Sequence, residues 1–172
     1  EKENEVVAII NIGASVTNIG IIEGGSAGFT RDILLGGNKY TETIQKQLKV
    51  DSKDAEKMKF GLNVSEENKD KIVSIIMEVT DIFASEIQKS IEFYSTAANR
   101  NVDKIFLSGG IANISGISHL LSEKLGISVE ILDPLKKVSV NKKAFDLEYI
   151  DHISPLIATA TGLAFRRFDD ND

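Results

Sequence analysis

"IINIGASVTNIGII", Ile9 to Ile22, decides how the rest of the chain is read. Two apolar runs flank Gly13-Ala14-Ser15, and the small polar Asn11 precedes the glycine. The pattern is strand, tight turn, strand. A glycine at position 13 permits a positive φ or the close approach of another group. The amides of Gly13, Ala14 and Ser15, with the hydroxyls of Ser15 and Thr17, would form a concave set of donors suited to phosphate oxygens. Taken alone, the plainer reading is an ordinary glycine turn between two strands.

Working outward, Glu5 to Ile10, Thr17 to Glu23 and Ala27 to Leu34 are β-rich runs, the last two joined by the hairpin signal Gly24-Gly25-Ser26. The chain is therefore expected to open with an antiparallel meander. In "GGNKYTETIQKQL" the period changes: Tyr40, Ile44 and Leu48 fall on one helical face, with Gly36-Gly37 as the turn into it. A short helix in "DSKDAEKMKF" is capped by Asp51 or Ser52 and stopped by Gly61. From Ser65 to about Ala98 the apolar positions Ile72, Ile75, Ile76, Val79, Ile82, Phe83, Ile87, Ile91, Tyr94, Ala97 and Ala98 step by threes and fours. That is one long amphipathic helix, with an S-x-E-type cap at its start and a core-facing stripe.

"VDKIFLSGG" reads as a strand, "NISGISHLLSEKLG" as a helix stopped by Gly126, and "SVEILDP" as a strand closed by Pro134. Residues 135–153 are polar and lysine-rich, and a surface connection with little regular structure is expected. Ser154-Pro155 is a cap and first-turn pair launching an apolar helix in "LIATATGLAFRRF". The acidic tail "DDND" is expected to be disordered. The order predicts a mixed sheet with helices on its faces. Lys104 to Leu107 should lie parallel beside the first strand, with Val129 to Leu132 next. Ligands of such sheets bind at strand ends where glycines let a backbone come close.

Composition excludes several classes. The chain has 172 residues, enough for one domain or two small lobes with a core of their own. It has no cysteine, so thiolate metal sites and disulfides are out. His119 and His152 show no ligand-like spacing. A net charge of −6 without a basic stripe argues against nucleic acid. No run of about 18 apolar residues exists to span a membrane, and "EKENEVV" is not a signal peptide. A soluble protein of a reducing compartment is expected. The chain starts without methionine and enters a strand by about residue 5, so a fragment of a longer protein is expected.

Two further features bear on a site. Ser108-Gly109-Gly110 ends a strand just before a helix, and the paired glycines would clear one wall for a flat ring. The plainer reading is a simple β–α connection. In "DAEKMK", Glu56 and Lys59 share one helix face. A carboxylate there can take both hydroxyls of a ribose, and a lysine stem can lie over a base. The plainer reading is a solvated charge pair.

Together, "NIGASVTNIGI", "TRDILLGGNKYTETIQ", "DAEKMK", "SIEFYSTAANRNVDKIFLSGGIANISGI" and "TATGLAFRR" resemble the second half of the actin-like ATPases, in that family's order and over nearly the whole chain. Within it they most resemble the PilM family of type IV pilus assembly, a relative of the division protein FtsA. The resemblance implies an RNase-H-like lobe of mixed α/β class. Residues 1–37 and 100–172 would form subdomain IIA, and 38–99 mostly subdomain IIB. It implies that Gly13, Ala14 and Ser15 touch the β/γ phosphates of ATP. Glu56 would hold the ribose, Lys59 the adenine side, and Gly109, Gly110 and Ile111 the adenosine.

Asn11 stands where the family usually has an acidic residue that helps place Mg2+ through water. An amide can hydrogen-bond that water but brings no charge, so no catalytic or metal-ligating residue is assigned. The expected first lobe would carry the other phosphate loop, the water-positioning residues and a groove for the N-terminal tail of the membrane protein PilN. ATP and Mg2+ are expected for the full-length protein, with at most weak ATPase activity there and none in this chain alone. The expected setting is cytoplasmic, scaffolding an inner-membrane pilus subcomplex through PilN and other assembly proteins. The alternatives are an FtsA-like division protein, half of a small-molecule kinase and a nucleotide-free interaction lobe.

Overall fold

β1 (Val6–Ile12) is the middle strand of a five-stranded sheet, and everything near the site is hung from its C-terminal end. The computed structural model describes residues 5–139, 141 and 145–165. The acidic N-terminal residues, the arginines that end "TATGLAFRR" and the acidic tail lie outside them.

β1 alternates strictly: Val6, Ala8, Ile10 and Ile12 are buried, and the residues between them are half-buried. It pairs antiparallel with β2 (Thr17–Glu23), which pairs antiparallel with β3 (Ser26–Ile33). The β2–β3 turn has Gly24 at φ 56° and Gly25 at φ 81°. Two central residues with positive φ make the type I′ turn that matches strand twist. On its other side β1 pairs in parallel with β4 (Lys104–Ser108), and β4 with β5 (Ser128–Ile131). The order β3-β2-β1-β4-β5 is the one expected, with β3 and β5 as its edges. β1 runs past Ile10 to Ile12, so Asn11 sits inside the ladder, opposite Asn18 on one side and Ser108 on the other.

α1 (Asn38–Leu48) buries Tyr40, Thr41 and Ile44. α2 (Ser52–Lys59) is capped by Asp51, whose carboxylate accepts from the Asp54 amide at 2.8 Å. α3 (Lys69–Ala98) buries Ile72, Ile75, Val79, Phe83, Ile87, Ile91 and Tyr94. Tyr40 stacks on Phe83 at 5.3 Å between ring centroids and meets the Thr80 hydroxyl at 3.0 Å, fastening α1 to α3. α4 (Ile117–Leu125) buries Ile117, Leu121 and Leu125, with Gly126 as its left-handed stop.

The C-terminal part departs most from expectation. Leu147–Ile153 forms a helix, α5, within a stretch expected to be irregular. Asp146 caps it through the Glu148 amide at 3.0 Å, but its apolar residues are not buried, so no periodic stripe marks it. Ser154 does not cap the next helix. Its hydroxyl donates to Asp133 at 2.7 Å, and Ser154–Ile157 forms a 3-10 turn leading into α6 (Ala158–Phe165). α6 buries none of its residues, so its apolar sequence is not core.

At the start of α3, Ser65 makes no side-chain capping bond, and a 3-10 turn at Glu66–Asn68 precedes the helix. On α3, Ile82, Ala97 and Ala98 are exposed. Ile82 is one residue, about 100° of helix, from Phe83, which takes the inward place.

Candidate functional site

At the C-terminal ends of β1 and β4 lies a cleft of about 380 Å³. Its walls are Asn11, Ile12, Gly13 and Ala14 from β1 and its turn, Gly37 and Asn38 from the start of α1, and Glu56, Lys59 and Phe60 from the end of α2. Gly109, Gly110, Ile111 and Leu156 complete it. Of the nine residues singled out in the sequence, all but Ser15 line this one space. Ser15 lines an adjoining recess, which shares Ala14 and Asn38 with the cleft.

The turn after β1 is held by its carbonyls. The Gly37 amide donates to the Gly13 oxygen and the Asn38 amide to the Ala14 oxygen, each at 2.8 Å. This clamp explains the glycine pair in front of α1. A Cβ on Gly36 would lie 2.5 Å from the Ala14 carbonyl, and one on Gly37 would lie 2.6 Å from the Ile111 side chain.

Two expected donors are not available. The Gly13 amide already donates to the Val16 oxygen at 3.0 Å. Thr17 is buried and its hydroxyl donates to the Leu35 oxygen at 2.7 Å, because position 17 faces inward in the alternation of β2. Gly13 does not adopt a positive φ; its reason is space, since a Cβ would stand 3.1 Å from the Val16 oxygen. What remains is the amides of the exposed residues Ala14 and Ser15, which have no hydrogen-bond partner among the described residues. The Ser15 hydroxyl joins them and accepts from the Asn38 side chain at 3.2 Å.

At the other end, Lys59 donates to both oxygens of Glu56 at 2.7 Å. The Lys59 side chain is only 4% exposed, against 49% for Glu56, so this is not a solvated surface pair. The Lys59 ammonium also donates to the Thr41 hydroxyl at 3.2 Å and stands 5.0 Å from the Phe60 ring centroid. Thr41 in turn donates to Glu56 at 2.5 Å. Burial alone would raise the Glu56 pKa. The hydrogen bonds from Lys59 and Thr41 and the nearby positive charge outweigh it and hold the carboxyl below its ordinary value. Glu56 is thus an ionised acceptor, and among the described residues it is the only carboxylate in the wall of the cleft.

The third wall is backbone. Gly109 has φ 87° and ψ 176°, a conformation essentially reserved to glycine. Its amide donates to the Pro155 oxygen at 2.9 Å, which ties the C-terminal segment to the end of β4. Gly110 has open space where a Cβ would stand, so the wall there is flat. Ile111 is buried and supports the wall from beneath Gly37.

Asn38 and Leu156 were not singled out in the sequence, and Thr41 entered only as part of the family-like stretch "GGNKYTETI", without a site role. Asn38 follows directly on the glycine pair, a position that signals it. Thr41 lies four residues beyond Gly37, hence on the same helix face. Nothing in the sequence distinguishes Leu156 from a core leucine.

Comparisons with known proteins bear on this arrangement. Residues 1–168 match the family model described as type IV pilus assembly protein PilM. The solved PilM-PilN type IV pilus biogenesis complex superposes with a TM-score of 0.81 at 28% identity, covering 96% of this chain and 46% of that one. The ethanolamine utilization protein EutJ of Carboxydothermus hydrogenoformans gives 0.66 at 22% identity, with 94% and 48% covered. An archaeal actin homolog gives 0.61 at 12% identity, with 93% and 50% covered. The fold is that of the actin-like ATPases, and the chain spans about half the length of the solved structures it matches.

Proposed function

Because the chain belongs to the PilM family of type IV pilus assembly proteins, we propose that it forms one wall of an ATP-binding cleft in a pilus assembly scaffold. The observation that carries this reading is the convergence of three unlike surfaces on one space. The unpartnered amides of Ala14, in the cleft wall, and of Ser15, in the recess adjoining it, suit an anion. A flat backbone wall at Gly109-Gly110 suits a ring. An ionised, half-exposed Glu56 suits hydroxyl donors. A phosphorylated nucleoside presents all three groups, its sugar hydroxyls lying between phosphate and ring, and a cleft of about 380 Å³ is in the usual range for such a ligand.

The donor set also bears on Mg2+. Glu56 is committed to Lys59, and Asn11 is neutral. A magnesium ion bound with ATP would take its oxygens from phosphate and water. Asn11 would hydrogen-bond one of those waters without adding charge. The ion would neutralise phosphate charge, while this chain orients the nucleotide through amides, the glycine wall and Glu56. ATP then acts mainly as a structural ligand, and turnover, if present, belongs to the full-length protein.

The other partner enters through the matched complex, in which PilM is solved with PilN. We place the PilN contact on the half of the PilM length that this chain does not span. Among the described residues no helix is long and apolar enough to cross a membrane. We propose that attachment to the inner membrane runs through PilN or another partner, with the protein on the cytoplasmic side.

Calorimetry of ATP and ADP binding to the full-length protein tests the reading. Saturable binding that is lost in Glu56→Ala and weakened in Gly110→Val supports it. A folded protein that takes up neither nucleotide is instead a nucleotide-free interaction lobe.

A further inference from the structure

We infer that Thr41 is a positioning residue that sets Glu56 to accept one sugar hydroxyl of the nucleotide rather than two. This rests on the nucleotide reading above and adds the rule by which the sugar is recognised.

The argument is a count of lone pairs. Each oxygen of a carboxylate offers about two acceptor positions. On Glu56, Oε2 receives the Lys59 ammonium at 2.7 Å and the Thr41 hydroxyl at 2.5 Å. It is full. Among the described residues Oε1 receives only Lys59, at 2.7 Å, and keeps one position. The direction of the Thr41 bond is not free to reverse. A carboxylate only accepts, and the Thr41 oxygen already accepts from Lys59 at 3.2 Å, so the hydroxyl proton goes to Glu56.

Thr41 is well placed to enforce this. It is 6% exposed, and its helix is fixed at its start by the Gly37 and Asn38 amides on the turn after β1. Lys59 cannot yield either, being buried with its ammonium shared among three oxygens. Glu56 itself remains half-exposed in the wall of the cleft, so its open position is accessible to a ligand. A cis-diol bound to both oxygens of a free carboxylate would need a site on Oε2 that Thr41 occupies.

The test compares ATP, 2′-deoxy-ATP and 3′-deoxy-ATP by calorimetry on the full-length protein. In the wild type, one deoxy analogue is expected to bind about ten- to a hundredfold more weakly than ATP, the worth of a hydrogen bond to a charged acceptor. The other should bind like ATP. Thr41→Val opens Oε2, so the previously silent hydroxyl begins to matter. Thr41→Ser keeps the donor and should keep the wild-type pattern. A residue that only supported the fold would change all three affinities together and leave their ratios alone. Equal weakening by both analogues in the wild type overturns the inference while leaving nucleotide binding intact, as does an unchanged pattern in a folded Thr41→Val protein. The wild-type profile alone decides the one-hydroxyl rule should Thr41→Val not fold. No binding of ATP to the wild type overturns this inference together with the nucleotide reading.

Discussion

Gly109 stands so close to the end of β1 that a Cβ there would lie 2.3 Å from the carbonyl oxygen of Ile12. The same Cβ would meet the Asn11 side-chain oxygen at 2.6 Å. The ends of β1 and β4 are pinched together at this point, and the floor of the cleft is backbone as a result.

Gly109→Ala should therefore destabilise the protein by about 3 kcal/mol or more, from a glycine-only conformation combined with overpacking. Gly110→Ala, with open space at its Cβ, should change stability by no more than about 0.5 kcal/mol and act on ligand binding instead. Urea denaturation of the two variants separates these effects; equal losses at both positions would contradict the pinch.

Burial pushes the Tyr40 phenol up to about 12, with the Thr80 hydrogen bond offsetting part of the rise. The folded state thus favours the neutral phenol. Its contribution is complete below pH 10, the unfolded value, and is lost as pH climbs toward 12. Two pKa units correspond to about 3 kcal/mol. Tyr40→Phe should flatten this alkaline loss while costing about 1 kcal/mol at neutral pH, since the Thr80 hydroxyl still donates to the Ile76 oxygen. Stability measured across this range checks it, and an unaltered alkaline slope in Tyr40→Phe would assign the loss to other groups.

Glu56 runs the other way. Its folded pKa lies below the ordinary value of 4.5, so the unfolded chain binds the proton first. Its contribution is present above pH 4.5 and disappears as pH falls through the folded value. Thermal melts from about pH 3 to pH 6 should show a shallower acid limb in Glu56→Gln than in the wild type. The same slope in both would mean that the Lys59 and Thr41 bonds do not favour the ionised form.

Asn11→Asp in the full-length protein should steepen the Mg2+ dependence of ATP binding, because a carboxylate orients metal-bound water better than an amide. The measurement is the ratio of ATP affinities with magnesium and with chelator. A ratio that does not move makes Asn11 a strand-end residue without a part in metal placement.

The sheet was legible because each strand carries a period-2 or fully apolar run bounded by glycine or proline, and the long helix because its stripe persists from Ile72 to Tyr94. The gathering of Gly13, Glu56, Lys59 and Gly109 followed from the family resemblance, not from their own spacing. Which donors stay free was not legible. Thr17 and Ser15 look alike in sequence, and only the alternation of β2 turns one hydroxyl into the core. α5 escaped notice because a helix without a buried face leaves no periodic signal; α6 was legible as a helix, though its exposure was not. Thr41 needed the tertiary contact between α1 and α2 to acquire its meaning.

Among the described residues β3 leaves one long side of the sheet unpaired, and such a row of backbone groups can template the growth of a neighbour's sheet. The strand has its own deterrents: a register irregularity at Ile21/Ile22 on its partner, and the exposed opposite charges of Arg31 and Asp32 side by side. The opposite border, β5, is only four residues long and carries Glu130 in an ion pair with Lys104. Both borders thus discourage cross-molecule ladders, which favours colloidal stability for a sheet that the described residues leave open at each side.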